Sequence, residues 1–466
     1  MLAGLSKMAL HESVFKLLRD GPKPAKALCE QLGVSQPTFS RLMAGQGVSI
    51  LRFGKARQSQ YALRRKLGAH ADFPLYRVSA SGELQQWGVL YPIMPEGYLV
   101  ETWPTSTCEA RFDLHPGLPW YLQDMRPQGF LGRSFARYHG PMLGLPADPT
   151  RWSDDQTLLA LANTGYDTPG NLMVGEESAS HFQTRALFSS QEESAAPIPA
   201  EQRLQQYPKL ARLALAGEVV GSSAGGEQPK FNVEILRKGF PVQVMVKFTA
   251  PQDNAATLRW RSLLICEYIA SQVLGDLFFC SESELLSAEV DGSPQLFLQA
   301  LRFDRVGRLG RSGVVSLKSL DDEFAGLAAE WPKITAELVR AGKLSADVHQ
   351  QVQKLYVFGV LIGNADMHTG NLSFFVDDVT KAAPEYTLAP VYDMLPMSLA
   401  PRPSGQIPDA LAIPKVGVNP PLAIWLELLP LAIRYWHLVA EHPDMSDDVR
   451  SMAQKQADLL SRSVIF

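Results

Sequence analysis

Cysteine is scarce in this chain. Only Cys29, Cys108, Cys266 and Cys280 occur in 466 residues, far apart and with no CxxC pair. That excludes a disulfide framework or a cysteine-based zinc site and predicts reduced, mostly buried thiols. No apolar stretch approaches the length needed to cross a bilayer, and the N-terminus lacks the core of a secretory signal. No internal repeat stands out, and neither a Walker A loop nor a GxGxxG loop is found. What is present, at 46% hydrophobic content, can bury large cores in two to four domains. The expectation is a soluble, cytoplasmic protein with no membrane partner.

Charge is unevenly placed. The formal net charge is −4, yet residues 1–70 hold twelve Lys or Arg against Glu12, Asp20 and Glu30, a balance of +9. A basic end of that size suggests a polyanionic partner. It is also patterned: Val14, Leu17 and Leu18 fit one helical face, and Ala25 to Leu32 forms a second amphipathic stretch. Ser35 is suited to cap a third helix from Gln36 to about Ala44, with Phe39 and Leu42 inward. The spacing predicts a helix-turn-helix whose reading helix presents Gln36, Thr38, Ser40 and Arg41 to base edges and phosphates. Two short strands around a basic turn from Ser49 to Leu63 would form a wing, with Arg52, Lys55 and Arg57 near the DNA backbone. A protein-docking module of three short helices is the competing reading. One such module is small, so strong operator binding calls for a homodimer on a palindromic duplex.

The densest chemistry lies near the C-terminus. Asn364-Ala365-Asp366-Met367-His368-Thr369-Gly370-Asn371 is followed by Pro390-Val391-Tyr392-Asp393. An Asp, an Asn five residues later and a second Asp about twenty residues on are the acidic equipment of kinase-like phosphoryl transfer. The first Asp takes the proton of an attacking hydroxyl, and the other two hold Mg2+. Flanking apolar runs predict a helix entering a loop, then two short strands returning the second Asp to it. Alone, the segment has a bland alternative, an Asn/Asp/Gly-rich surface turn.

A second piece changes that balance. Gly221-Ser222-Ser223-Ala224-Gly225-Gly226-Glu227-Gln228-Pro229-Lys230 offers small residues whose N–H groups can cradle phosphate. Seventeen residues on, the alternating strand Val242 to Phe248 carries Lys247, placed to pair with phosphates. A flexible glycine turn and a solvated edge lysine are the bland readings of each part. Their order, followed by Asp366, Asn371 and Asp393, is hard to obtain by accident.

With these residues in view the chain resembles the HipA family of serine/threonine kinases, toxins of bacterial toxin–antitoxin modules. The resemblance rests on Ser223-x-Gly225-Gly226-x-x-Pro229-Lys230, Lys247, Leu301-Arg302-Phe303-Asp304-Arg305, Asp366-x-His368-x-x-Asn371 and Tyr392-Asp393. It extends through Leu118-Pro119-Trp120 and Gly129 to Arg133, so it runs from about residue 75 to the C-terminus. It implies ATP and Mg2+ as cofactors, with Asp366 and Lys247 in catalysis and Asn371 and Asp393 on the metal. Ser223, Gly225, Gly226, Lys230, Lys247, Leu301, Phe303 and His368 would form the nucleotide site. His368 would brace the loop by hydrogen bonding, since Asp366 already fills the role of base. Ser223 aligns with a serine whose autophosphorylation switches the family's enzymes off, Ser222 being an adjacent alternative. Two departures stand out. Gly370 replaces a frequent Lys before the metal Asn, removing a cation near the transferred phosphate, and Leu301 replaces a frequent Glu at the hinge.

Elsewhere, Tyr76 to Val100 alternates around turns and predicts a β-rich subdomain with Trp87 and Tyr91 in its core. Gly175 to Ser178 and Ser189 to Glu201 read as mobile connections. Glu267, on the helix after Lys247, is the nearest candidate to pair with that lysine, an ordinary exposed helix Glu being the alternative. After Leu411 the chain predicts a helical lobe packed by Trp425 and Trp436. The fold class expected is α+β: a winged helix-turn-helix over 1–70, a β-rich subdomain over 71–175, and a two-lobed kinase-like core with a helical C-terminal lobe over 176–466. A DNA-binding module fused to the kinase is most similar to the stand-alone YjjJ-like branch. The implied activity is transfer of the ATP γ-phosphate to a protein Ser or Thr hydroxyl, restraining growth. The resemblance suggests a translation factor or aminoacyl-tRNA synthetase as substrate, and an antitoxin or a second copy as partner. The rival reading is a DNA-binding transcription regulator whose kinase-like part senses nucleotide. A small-molecule kinase is more distant.

Overall fold

The computed structural model describes residues 7–44, 49–55, 58–104, 110–188, 196–217, 228–411, 413–414 and 419–463. Its first unit is three short helices, Lys7–Leu18, Ala25–Leu32 and Gln36–Met43, against a small antiparallel sheet. Gly33, at φ 64, ends the second helix in a left-handed turn that glycine adopts without strain. Ser35 begins the third by accepting the Thr38 N–H. In the sheet, Gln60–Leu63 lies between Lys23–Pro24 and Ile50–Phe53. Val14, Leu18, Leu28, Phe39, Leu42 and Tyr61 fill the space between helices and sheet. The hairpin's other face is not free. Phe53 and Ala62 pack on Ile93 and Leu99 of the next unit, and Arg65 grips Asp155 with both terminal nitrogens at 2.5 and 2.8 Å.

That next unit is a five-stranded antiparallel sheet. Its strands run in the order Arg111–His115, Tyr98–Thr102, Leu84–Pro92, Phe73–Val78 and Leu172–Val174. Helices Gly129–Leu143 and Asp154–Thr164 join it, so the region is mixed and not simply β-rich. Trp87 is buried, while Tyr91 is half-buried with its hydroxyl donating to Glu101 at 2.9 Å. The connection expected at Gly175 to Ser178 is instead the start of helix Glu176–Phe188. Glu176 and Glu177 in its first turn favour the positive helix end. Ser178, fully buried, donates to Leu161 O at 2.7 Å and accepts Gly165 N–H at 2.9 Å, locking one helix onto the end of another. Likewise Ile198, in the second expected connection, bridges to Ile235.

The largest part has two layers of different character. A four-stranded antiparallel sheet runs in the order Ser283–Val290, Ser293–Leu301, Phe240–Phe248, Lys230–Arg237. Helix Arg203–Ala216 covers one face through Tyr207, which meets Phe231 and Phe297 edge-on or tilted. The twenty-residue helix Ala255–Leu274 packs beside the sheet strands. Beyond Leu301 the chain crosses to a lobe built from helices Trp331–Arg340, Ala346–Leu361, Leu422–Glu441 and Asp447–Ser463. A small sheet, Val314–Ser316, Ser373–Val376 and Tyr386–Leu388, lies where the two parts meet. Trp331, Trp425 and Trp436 are buried in the helical lobe. Contrary to the sequence expectation, Leu422–Glu441 is long and apolar enough to cross a membrane. Its apolar composition serves the core: Trp425, Leu428, Leu429, Tyr435, Trp436 and Val439 face inward. Of the cysteines, Cys266 is buried and Cys29 and Cys280 are half-buried free thiols, while Cys108 lies outside the described residues.

Candidate active site

Strand alternation places the first half of the site. Val244, Val246 and Phe248 face the Tyr207 core, which turns Lys247 to the opposite face of the sheet. There its Nζ donates to Glu267 of helix Ala255–Leu274 at 2.5 Å and pairs with Asp393. Lys230 stands directly across from Lys247 on the neighbouring strand and is itself buried. Like charges so placed repel, and the two carboxylates hold them together. Burial lowers the pKa of Lys247, but Asp393 and Glu267 more than reverse this and leave it raised. Burial opposes the ionisation of Asp393 as well, yet Lys247 and Lys230 hold its pKa below the ordinary value. At Glu267 burial wins and the pKa is raised. Its second carboxylate oxygen is buried without a partner among the described residues.

The other half comes from the helical lobe. Helix Ala346–Leu361 delivers the chain to a loop, a short turn at Thr369–Asn371, and then strand Ser373–Val376. Asn364, buried, sits at the centre: its Oδ1 accepts the Asp366 N–H at 3.0 Å and its Nδ2 donates to Asp393 O at 3.3 Å. It thus ties the loop to the segment carrying Asp393, a role that its type and position alone do not announce. Asn371 Nδ2 donates to Asp366 O at 2.9 Å. His368 Nδ1 accepts the Gly370 N–H at 3.1 Å, and its carbonyl accepts Trp331 Nε1–H at 3.1 Å. Tyr392 donates to Gly370 O at 2.9 Å and shares a 2.7 Å hydrogen bond with Ser373. Asp393 has φ 51, a left-handed conformation uncommon outside glycine and frequent at functional sites. The Asp366 side chain is exposed and, among the described residues, makes no hydrogen bond or ion pair.

Lys230, Lys247, Asp366, Asn371, Asp393 and His368 therefore belong to one connected region. Phe303 joins it by stacking on Tyr392, ring centroids 5.7 Å apart. Leu301 lies at the end of strand Ser293–Leu301, where its N–H donates to Glu282 O at 3.0 Å. Ser223, Gly225 and Gly226 lie outside the described residues. A small crevice with room for about 10 Å³ borders Asn371 and Tyr392, with Trp331, Leu355, Ser373 and Met394 also lining it.

Among the described residues no group of three or more His, Cys, Asp or Glu could hold a metal by itself. Mg2+ shared with phosphate needs less, one or two protein oxygens. Asn371 fits: its Nδ2 is engaged, which leaves Oδ1 as the ligating atom. Asp393 fits as an ionised hard carboxylate on the adjoining segment. At the N-terminus, Gln36, Ser40 and Arg41 are exposed along helix Gln36–Met43, but Thr38 is half-buried and its hydroxyl meets Ser35 Oγ at 3.0 Å. Arg52 and Lys55 are exposed on the hairpin, and Arg52 donates to Ser59 Oγ at 3.2 Å. Arg57 lies outside the described residues.

Two family models match the chain: the YjjJ-like toxin middle domain over residues 69–183 and the HipA-like C-terminal domain over residues 222–455. The Escherichia coli (strain K12) protein Toxin YjjJ is 39% identical over 443 residues, spanning 95% of this chain and 96% of its own length. A crystal structure of the Helicobacter pylori proinflammatory kinase CtkA aligns with 50% of this chain and 91% of its own, at 16% identity and a TM-score of 0.32, too low to establish a common fold.

Proposed function

The chain belongs to the YjjJ-like toxins of the HipA family, and from that premise we propose that it is a cytoplasmic, ATP-dependent serine/threonine protein kinase with its own DNA-binding module. The observation that carries this reading is the ion-paired group Lys247, Glu267 and Asp393, joined through Asn364 to the loop bearing Asp366 and Asn371. Lys247 and Lys230 would hold phosphate oxygens. Asp366, exposed and unengaged, would orient the acceptor hydroxyl and take its proton. Asn371 and Asp393 would hold Mg2+, which would offset the negative charge of the phosphates. His368 would keep the loop in shape through its own backbone contacts.

Incubation of the purified protein with γ-labelled ATP tests this. The reading predicts label on the protein itself or on an added protein, and mass spectrometry should find it at Ser223, beside the glycine-rich loop. A phosphate carries about −1.5 to −2 charges, poorly tolerated next to ATP phosphates, so occupancy of Ser223 should slow further turnover. Phosphate confined to other residues would remove the switch, and no label under any condition would favour the rival. That rival, a DNA-binding regulator that senses nucleotide, draws on one observation. Gly370 supplies no cation, and a Cβ there would sit 3.0 Å from the exposed His368 ring, which would have to shift by a few tenths of an ångström to admit a side chain.

The three helices and hairpin of residues 7–63 support the reading of this end as a winged helix-turn-helix for duplex DNA. Because the hairpin's rear packs on the following unit, the full chain is the proper test object. Its affinity for duplex should fall steeply with salt, and Arg52→Ala or Lys55→Ala should each reduce the logarithmic salt slope by about one. Arg41→Ala and Gln36→Ala should instead flatten sequence preference. An unchanged slope in both wing variants would favour protein docking at this end.

A further inference from the structure

Asp167 lies in the loop after helix Asp154–Thr164, far in sequence from every residue of the proposed kinase site. Its Oδ1 accepts from Arg302 at 3.1 Å and from Arg305 at 2.9 Å. The same loop adds backbone groups: Thr168 O and Gly170 O accept from Arg305 at 2.8 and 3.1 Å, and Gly170 N–H donates to Asp304 at 3.0 Å. Asp304 in turn pairs with Arg302 and Arg305 within the segment. The Arg302 and Arg305 side chains are 4% and 5% exposed, so these are interior charges and not a surface decoration.

The segment so gripped is the covalent crossing between the sheet and the helical lobe. Val244 pairs with Leu301 on the strand next to it, three residues before Lys247. At the centre of the crossing, Phe303 stacks on Tyr392 and meets Phe375 edge-on at 6.0 Å. Tyr392 precedes Asp393 and holds Gly370 O. A continuous path of contacts therefore runs from Asp167 through the crossing to both metal-side residues.

We propose that Asp167 is a positioning residue of the kinase site: a carboxylate from the middle domain that fixes the crossing, and through Phe303 and Tyr392 the placement of Asp393 relative to Lys247. This rests on the kinase reading for its functional consequence, but its structural part does not. The electrostatics fit. Burial would raise the pKa of Asp167, and Arg302, Arg305 and Arg311 overcome it, keeping the carboxyl well below its usual range. Asp304, opposed by burial in the same way, is held by Arg302 and Arg305 at about 2. Without Asp167, three buried guanidinium groups would share a single carboxylate, and breaking a buried pair in this way is costly.

The test uses the full chain carrying Asp167→Asn, which keeps size and removes charge. Amide hydrogen exchange should accelerate about tenfold or more over 301–306 and over 391–394, with helix Leu422–Glu441 unchanged, as expected when a local clamp opens. In parallel, the KM for Mg-ATP should rise about tenfold while kcat at saturation stays within about threefold, separating nucleotide placement from the chemical step. Acceleration confined to 165–170, or an unchanged KM, overturns the proposal. If wild type neither binds nor turns over ATP, the kinase reading fails, and the exchange arm still decides the role of Asp167. Should Asp167→Asn not fold, Asp167→Asn/Arg305→Gln restores the charge balance without the clamp. It is expected to fold and to show the same faster exchange at 391–394, and protection there equal to wild type would refute the inference.

Discussion

Asp366→Asn is expected to lower phosphoryl transfer by about 10²-fold or more, the usual worth of a positioned base, with the protein still folded. Its structural contacts are made by the backbone: the N–H to Asn364 and the carbonyl to Asn371. Both survive the exchange, so the melting temperature should hardly move. Asp393→Asn should abolish transfer to a similar degree but behave differently in stability, because that side chain pairs with buried Lys247. Activity assays and thermal melts on the two variants check the pair of outcomes together. Wild-type turnover in both would mean that neither carboxylate acts in chemistry.

Lys247→Met should produce the largest combined loss of ATP turnover and stability. Methionine keeps length and apolar contact but leaves Glu267 and Asp393 with Lys230 alone to offset their charge, and removing one partner of a buried ion pair costs about 3–5 kcal/mol. The pH dependence has a definite sign. Asp393 has a lowered pKa in the folded protein, so its contribution is present above the ordinary carboxylate value and is lost as pH falls through the lowered one. The raised pKa of Lys247 contributes stability that is present below the ordinary lysine value and lost as pH rises through the raised one. Between those limits the contribution of the Lys247–Asp393 pair is flat, while Glu267, whose pKa is raised in the wild type as well, lets stability decline as pH rises through its own range. In the variant both carboxylates lose the nearer of the two cations that favour their ionisation, Lys230 remaining, so their pKa values move up and stability should decline more steeply than in the wild type as pH rises from acid toward neutral. Melts from about pH 4 to pH 8 read this directly. A difference from wild type that is constant across that range would separate Lys247 from the two acids.

The parts of the candidate site that sequence could place are those with short, fixed spacing. Asp366 and Asn371 sit on one loop, and their five-residue separation is enough to bring them together. Lys247 followed from strand alternation, and Glu267 was the nearest candidate on the following helix, where an ordinary exposed Glu was an equal alternative until the fold brought the two side chains together. What spacing cannot express is contact between segments far apart. Asp167 and Arg302 are 135 residues apart, and nothing in Tyr166-Asp167-Thr168 distinguishes it from an ordinary polar turn. Asn364 reads as a turn residue, yet the fold buries it between two segments. The same limit explains Ser178, where polar composition suggested a loose connection but a buried hydroxyl joins two helices. Helix Leu422–Glu441 shows the converse: composition alone cannot tell a core helix from a membrane span, and its neighbours decide. The engaged Leu301 amide depends on strand register, which the hinge-like motif does not encode.

The most direct test of the central claim is phosphoproteomics on cells expressing the wild-type chain beside cells expressing Asp366→Asn at matched levels. A kinase acting through Asp366 yields a defined set of phosphorylated Ser or Thr sites that appears with wild type, together with slowed growth, and is absent from the variant. Identical phosphosite profiles in the two strains, with equal growth, would contradict it.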